Sequence, residues 1–377
     1  MNANTPLDFS HYMPVELLSG SNVLLEKGGR LKNLGRRCLV VTGSHSAKAS
    51  GALQDTERVL KEQEIVFTVF DQVKPNPLVS DCQQAAILAR EQKADFIIGI
   101  GGGSPLDSAK VVALLATNFL DEKALYSLEW SCPPLPTVLV GTTAGTGSEL
   151  TMVSVLTNSK GQKKSITAPA LYPVLSFADP RYTVSCNYET TLSCALDALC
   201  HGMEGYFSLR SNFLTDSVAA AVIPRLILAL GKLYDNEAYR MGGEKIPLFL
   251  REELYYGSLL AGFVLNSCGA GFPHTMGYVL TERYSVPHGR ACAAYLPEFL
   301  SLACEHLPQK WSALGLSLEE TCRLLIQLNP LPQVHMGRRQ IEALLSRYEN
   351  NKNFRNSPGM PTEENARNWM LQMWCRE

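Results

Sequence analysis

The stretch "LDALCHGMEGY" (196–206) places Asp197 and His201 four residues apart. On a helix that spacing projects both side chains from one face. Further on, "FPHTMGY" contributes His274 and "VPHGRA" contributes His288, each directly after a proline. One carboxylate and three imidazoles would make a complete ligand set for a borderline divalent cation such as Fe2+ or Zn2+. An isolated Asp/His pair on a helix is common without any metal, and spacing alone leaves the assembly of this set open. The remaining histidines, His11, His45, His306 and His335, have no acidic or histidine neighbour at ligand spacing. They read as exposed or hydrogen-bonded side chains, with His45 placed where it could touch a nucleotide.

A second chemistry is suggested by "IIGIGGGSPLDSAK" (97–110), a buried strand, three glycines and a helix. It is not the G-x-G-x-x-G turn of dinucleotide folds. Consecutive glycines still let a ligand approach the backbone, and the helix start offers free N–H groups to a phosphate. Pro105 suits the first helical turn. "GTTAGTGSE" (141–149) also follows a strand and supplies hydroxyls; it is not a P-loop, because no Gly-Lys-Ser/Thr follows. Two such turns at the carboxyl ends of strands would meet at one crevice of an open α/β sheet, where ligands bind. A nucleotide carrying a pyrophosphate is the favoured occupant. The first long strand ends "VVTGSHSAK", with Gly43 and Ser44 where an acid would hold a ribose 2′-hydroxyl and repel a 2′-phosphate. That tilts the expectation to NADP(H) over NAD(H).

The elements that must position these residues follow from patterning. Strands are expected at 38–42, 65–70, 95–100 and 136–141, separated by helices at about 47–63, 80–92 and 105–117. Alternation of this kind predicts a Rossmann-like parallel sheet covering residues 1–180. From 181 to 377 the strands give way to helical periodicity, at about 187–207, 212–233, 251–268, 273–281, 291–305 and 318–328. The expectation is an all-α second domain.

Composition narrows the class. The 377 residues are 46% apolar and 19% charged, with net charge -2. No basic patch recommends nucleic acid or an anionic membrane. The opening "MNANTPLDFSHYMPVE" lacks the basic and apolar regions of a secretory signal, and no apolar run approaches the roughly 18 residues of a membrane span. Eleven dispersed cysteines, without a C-x-x-C pair, suit reduced thiols and a cytoplasmic setting.

In this order and spacing, "GGGSPLDSAK", "GTTAGTGSE", "DALCHGMEGY" and "PHTMGY" with "VPHG" resemble the iron-containing (group III) alcohol dehydrogenases. The likeness runs from "GSNVLLEKGG" to "NSPGMPTEENARNWMLQMW". It implies that Asp197, His201, His274 and His288 are the metal ligands and that Gly101, Gly102, Gly103 and Ser104 cradle the pyrophosphate. It places Asp107 near the nicotinamide and Thr142, Thr143 and Thr146 along the nucleotide's other side. Lys164 would contact the ribose, with Val155 close by, and Asn76 in "KPNP" is counted with the nucleotide-lining residues. Many members carry a second histidine four residues after the one matched by His274, close to the nicotinamide and often assigned to proton relay. Tyr278 stands there in this chain, either as a hydroxyl donor or as a wall of the pocket.

The activity implied is hydride transfer between a nicotinamide and the carbonyl carbon of a small aldehyde held by Fe2+ or Zn2+, in a chain whose relatives are commonly homodimers. Some sequences with tyrosine at this position resemble phosphonoacetaldehyde reductases, so an anionic aldehyde is an alternative. A lyase of the dehydroquinate synthase type is a further alternative, disfavoured by Asp197 and by the four-ligand set.

Overall fold

The β-branched run expected as the first long strand forms β2, and its neighbours arrange around it in a computed structural model that describes residues 6–375. The strands are β1 (Glu16–Ser19), β2 (Arg37–Thr42), β3 (Val66–Phe70), β4 (Phe96–Gly101), β5 (Thr137–Gly141), β6 (Val153–Thr157), β7 (Lys163–Thr167) and β8 (Leu175–Ala178). Six of them form one sheet in the order β1-β8-β5-β4-β2-β3, every adjacent pair parallel. β6 and β7 form a separate antiparallel pair.

The central strands carry continuous buried apolar runs because both faces of a parallel sheet are covered. Leu39, Val41, Ile97 and Leu139 enter one core, while Val40, Ile98, Val138 and Val140 enter the other. That alternation is the two-residue period of a strand serving two layers. The helices Val79–Glu91 and Gly103–Thr117 supply much of the first layer.

Some elements depart from the sequence expectation. The helix expected over 47–63 is two, Ser46–Ala49 and Ala52–Glu62, because Gly51 adopts φ 82, which a helix cannot carry. The strands β1 and β8 are four residues each, too short to show a period. The helical run expected over 291–305 breaks into His288–Ala293 and Leu296–His306, with Pro297 in the first turn of the second.

The chain falls into two compact units. The sheet unit holds Tyr12–Asn187 and Ile246–Leu259. The helical unit holds, of the described residues, 6–11, 188–245 and 260–375. Helix Leu248–Cys268 therefore starts in one unit and ends in the other. Within the helical unit, Tyr188–Tyr206, Phe213–Asp235, Phe272–Tyr284 and His288–Ala293 build the part that matters for chemistry.

Among the described residues, helix Phe213–Asp235 is the one long and apolar enough by length and composition to cross a membrane, an 18-residue stretch of it having a mean hydropathy of 1.8. Asp216 and Arg225 interrupt it as a continuous apolar run. Its Ala219, Val222, Ile223, Leu226 and Leu230 are buried, and Ile223 approaches Gly202 closely enough that a Cβ there would lie 3.3 Å from its Cγ1. A capping box at Asn212 and Thr215 starts it.

Candidate functional site

In the sheet unit the two glycine turns begin at paired positions, since Gly101 of β4 lies opposite Gly141 of β5. The Thr142 N–H donates to the Gly101 carbonyl at 2.8 Å, tying one turn to the other. Gly101 has φ 147, a left-handed value that favours glycine. A Cβ on Gly102 would lie 3.0 Å from Thr143 Oγ1, and one on Gly103 would lie 2.6 Å from Thr146 Cγ2. Gly101, Gly102 and Gly103 are thus brought against Thr142, Thr143 and Thr146, with no room for a Cβ on Gly102 or Gly103, and Ser104 follows in the first turn of the helix. Helix Gly103–Thr117 starts at this point with no side-chain cap, leaving backbone N–H groups for an anion. Thr142 Oγ1 is buried here without a hydrogen-bond partner among the described residues, as expected of a group that a ligand would satisfy.

Behind the turns lies a polar brace. Asp107 accepts from Ser148 Oγ at 2.7 Å and from the Val155 N–H at 2.8 Å. Lys110 is buried and donates to Ser148 Oγ at 2.7 Å, Val153 O at 2.9 Å and Thr151 Oγ1 at 3.1 Å. Burial pushes the Asp107 carboxyl up, opposed by the Lys110 ammonium 3.9 Å away. Burial pushes Lys110 itself down, to about 8. Glu149 is also buried and accepts from the Tyr255 hydroxyl at 3.0 Å. Neither Lys110 nor Glu149 stood among the sequence candidates, although both lie inside the two glycine motifs.

The other nucleotide candidates lie on further segments of the same unit. Gly43 is buried at the end of β2, and Ser44 is exposed. Asn76 is exposed with φ 56, and its carbonyl accepts from Thr157 Oγ1 at 3.2 Å. Val155 lies on β6. Lys164 lies exposed on β7, its ammonium 4.4 Å from the Tyr126 ring centroid.

In the helical unit the four predicted ligands converge. Asp197 and His201 project from helix Tyr188–Tyr206, His274 from the first turn of Phe272–Tyr284, and His288 from the start of His288–Ala293. Asp197 Oδ1 is the hub, 3.7 Å from His274 Nε2 and 3.8 Å from Nε2 of both His201 and His288. These distances are too long for hydrogen bonds. They suit donors that each reach about 2.0–2.2 Å to a common cation. Asp197 Oδ1 and His274 Nε2 are buried and have no hydrogen-bond partner among the described residues, so the residues present fit a divalent ion. Burial would raise the Asp197 carboxyl, yet the surrounding imidazoles of His201, His288 and His274 hold it well below the usual carboxylate range. His288 is the more exposed edge, at 28% of its side chain, against 5% for His201 and His274.

Two further residues complete the surroundings. Glu204 is fully buried and contacts His274 Nδ1 at 2.6 Å, while accepting from the Gly271 N–H at 2.6 Å. A carboxylate on Nδ1 keeps the proton there and leaves Nε2 with its lone pair towards the cluster. Asp197, His201 and Glu204 form an i, i+4, i+7 stripe, so the signal for Glu204 was present in the sequence. Tyr278 sits one turn after His274, with its ring stacked on His288 at 5.6 Å and 15°. Burial pushes its phenol up to about 12.

Glu204→Gln preserves shape but removes the anion that orients His274. Affinity for the divalent ion is expected to fall about 10–100-fold, read by titration against a competing chelator. Unchanged affinity would remove Glu204 from this role.

The comparisons with known proteins identify the family of the chain. The family model "Iron-containing alcohol dehydrogenase" matches residues 14–180, and the C-terminal model of the same family matches 191–367. A 1,3-propanediol dehydrogenase of Citrobacter freundii is 33% identical over 81% of this chain and 78% of its own length. An NAD-dependent methanol dehydrogenase of Bacillus methanolicus is 28% identical over 76% of this chain and 74% of its own. The crystal structure of an iron-containing alcohol dehydrogenase from Thermotoga maritima superimposes with a TM-score of 0.84 at 34% identity, covering 97% of this chain and 99% of that one. With the two family models together matching residues 14–180 and 191–367, the chain belongs to the iron-containing alcohol dehydrogenases.

Proposed function

We propose that the chain is a divalent-metal-dependent, NAD(P)-linked alcohol dehydrogenase that reduces a small aldehyde, with Asp197, His201, His274 and His288 as the ligands. The observation that carries this reading is the convergence of three imidazole Nε2 atoms on the buried, unpartnered Asp197 Oδ1. When bound, a cation at this point supplies Lewis-acid polarisation of a carbonyl oxygen, and a reduced nicotinamide supplies the hydride.

The chain's own residues supply position and charge. Glu204 orients His274, and the Asp197 carboxylate contributes the negative charge that retains a cation in a buried place. The turn at Gly101–Ser104 and the hydroxyls of Thr142, Thr143 and Thr146 receive the pyrophosphate and its neighbours. Both carboxylate oxygens of Asp107 are already engaged by Ser148 and Val155, so its part is to hold the hairpin and the turn beside the nicotinamide. Tyr278, stacked on His288 and hard to ionise, acts as a wall, and the alcohol's proton comes from solvent. The substrate class is a small aldehyde, with an anionic aldehyde as the narrower option attached to Tyr278. A homodimeric state and a reducing, cytoplasmic setting complete the proposal, the latter supported by eleven cysteines that form no disulfide.

The test is oxidation of NADPH and NADH by purified protein with short-chain aldehydes, after chelation and reloading with Fe2+ or Zn2+. Turnover that disappears on chelation and returns with metal supports the proposal. Turnover indifferent to chelation overturns it.

NADP(H) is favoured over NAD(H) because no acid stands at the end of β2. Gly43→Asp would add one, at the cost of a tight contact, since a Cβ there lies 3.1 Å from Val73 O. The expected outcome is a shift of the NADPH/NADH ratio of kcat/KM towards NADH by about tenfold, on the order of 1.4 kcal/mol. An unchanged ratio would refute the assignment of this position.

A further inference from the structure

The metal centre contains a donor beyond the four matched residues. Cys292 lies one helical turn after His288 on His288–Ala293, so the sulfur and the imidazole share a face. Its Sγ is 3.6 Å from Nδ1 and 3.8 Å from Nε2 of His288. One donor atom from each of Asp197, His274, His288 and Cys292 lies within 4.8 Å of the others, a group that takes Cys292 in and leaves His201 out. The thiol is fully buried, beside the two buried atoms, Asp197 Oδ1 and His274 Nε2, that have no hydrogen-bond partner.

We propose that Cys292 is a sulfur ligand to the same ion, giving a mixed oxygen, nitrogen and sulfur shell that favours zinc over iron(II). This rests on the metal centre argued above. Soft sulfur donors with imidazole suit zinc, whereas harder oxygen donors do not discriminate in its favour. Zinc–sulfur bonds are about 2.3 Å, longer than the roughly 2.0–2.1 Å to nitrogen, so a sulfur set slightly back from the imidazoles still reaches. On ligation a sulfur lone pair goes to the cation and the S–H proton passes to solvent; no electron is transferred. Cys200 is also buried, on Tyr188–Tyr206, but stands outside the four-donor group and serves as the control.

The test uses the full chain, stripped with a chelator and reloaded with Co2+, whose absorption spectrum reports its ligands. Stoichiometric cobalt with an intense near-ultraviolet sulfur-to-cobalt band is expected. The band should vanish in Cys292→Ser with cobalt still bound, and persist in Cys200→Ser. In direct competition, the zinc-over-iron(II) preference of Cys292→Ser should fall by about tenfold or more. Cobalt bound to the unaltered chain without such a band overturns the sulfur ligand and leaves the metal centre standing; this outcome needs no variant to fold. A band that survives in Cys292→Ser also overturns it, by assigning the sulfur elsewhere. Failure to bind cobalt at all overturns the metal centre itself, and the sulfur ligand with it.

Discussion

His274→Ala is expected to leave the chain without its divalent ion and to lower turnover by about a thousandfold or more, on the order of 4 kcal/mol of transition-state stabilisation. His274 Nε2 is one of two buried orphan atoms at the centre of the cluster, so its removal opens the shell where solvent is least able to fill in. Metal content per chain and kcat are the two measurements, and both should collapse together. Full turnover with metal retained would exclude His274 from the ligand set.

Deleting the imidazole leaves the Glu204 carboxylate buried with the Gly271 N–H as its remaining hydrogen bond. Breaking a buried pair from one side costs about 3–5 kcal/mol, so the variant should also melt at a lower temperature. His201→Ala keeps the Glu204–His274 contact intact. It should lose metal and turnover with a much smaller change in stability.

The next largest effect is expected at Gly289, which touches no ligand through a side chain of its own. A Cβ there would lie 1.8 Å from Ser193 O, 2.7 Å from Asp197 Cβ and 2.8 Å from Asp197 N. Two of these atoms are helix backbone, which cannot change rotamer, so helix Tyr188–Tyr206 must move away from His288–Ala293. Overpacking costs about 1–3 kcal/mol and occasionally more; a contact this short belongs at the upper end. At roughly 2–4 °C per kcal/mol, Gly289→Ala should lower the thermal midpoint by about 6–12 °C.

Because the displaced residue is Asp197 itself and His288 adjoins Gly289, the donor spacing should open as well. Metal affinity should then fall beyond what instability explains, measured well below the melting transition. Gly231 is the control, lying inside helix Phe213–Asp235 with nothing within 4 Å of where a Cβ would stand. Gly231→Ala should stabilise by roughly 0.5–1 kcal/mol. A Gly289→Ala protein that melts and binds metal like the parent would refute the close-packing argument.

Much of this is legible in the residues. The central strands are visible because a parallel sheet buried on both faces demands apolar runs, as in β2 and β4. The glycine turns are visible because a missing Cβ is a requirement that few other positions share. The hairpin of β6 and β7 lies outside the sequence expectation, although β6 alternates half-buried and buried residues and Gly161 turns with φ 74. Strands β1 and β8 carry no comparable signal, since four residues show no period and their pairing partners are distant in sequence. Glu204 is recoverable from its place on the Asp197 helix face, whereas nothing local to Lys110 announces that its ammonium is buried among Ser148, Thr151 and Val153.

By itself the sequence determined which residue types are available and which share an element: Asp197 with His201 on one helix, three glycines before another, His288 with Cys292 one turn apart. Those are consequences of local periodicity, set by backbone geometry within a few residues. Only the tertiary structure decided that Asp197 Oδ1 lies 3.7–3.8 Å from three imidazoles on three helices. It alone decided that Glu204 faces His274 across 70 residues, and that Gly289 lets two helix backbones meet. Contacts of that kind depend on how elements pack, where each side chain's neighbours come from distant chain segments and no spacing in the sequence records the distance between them.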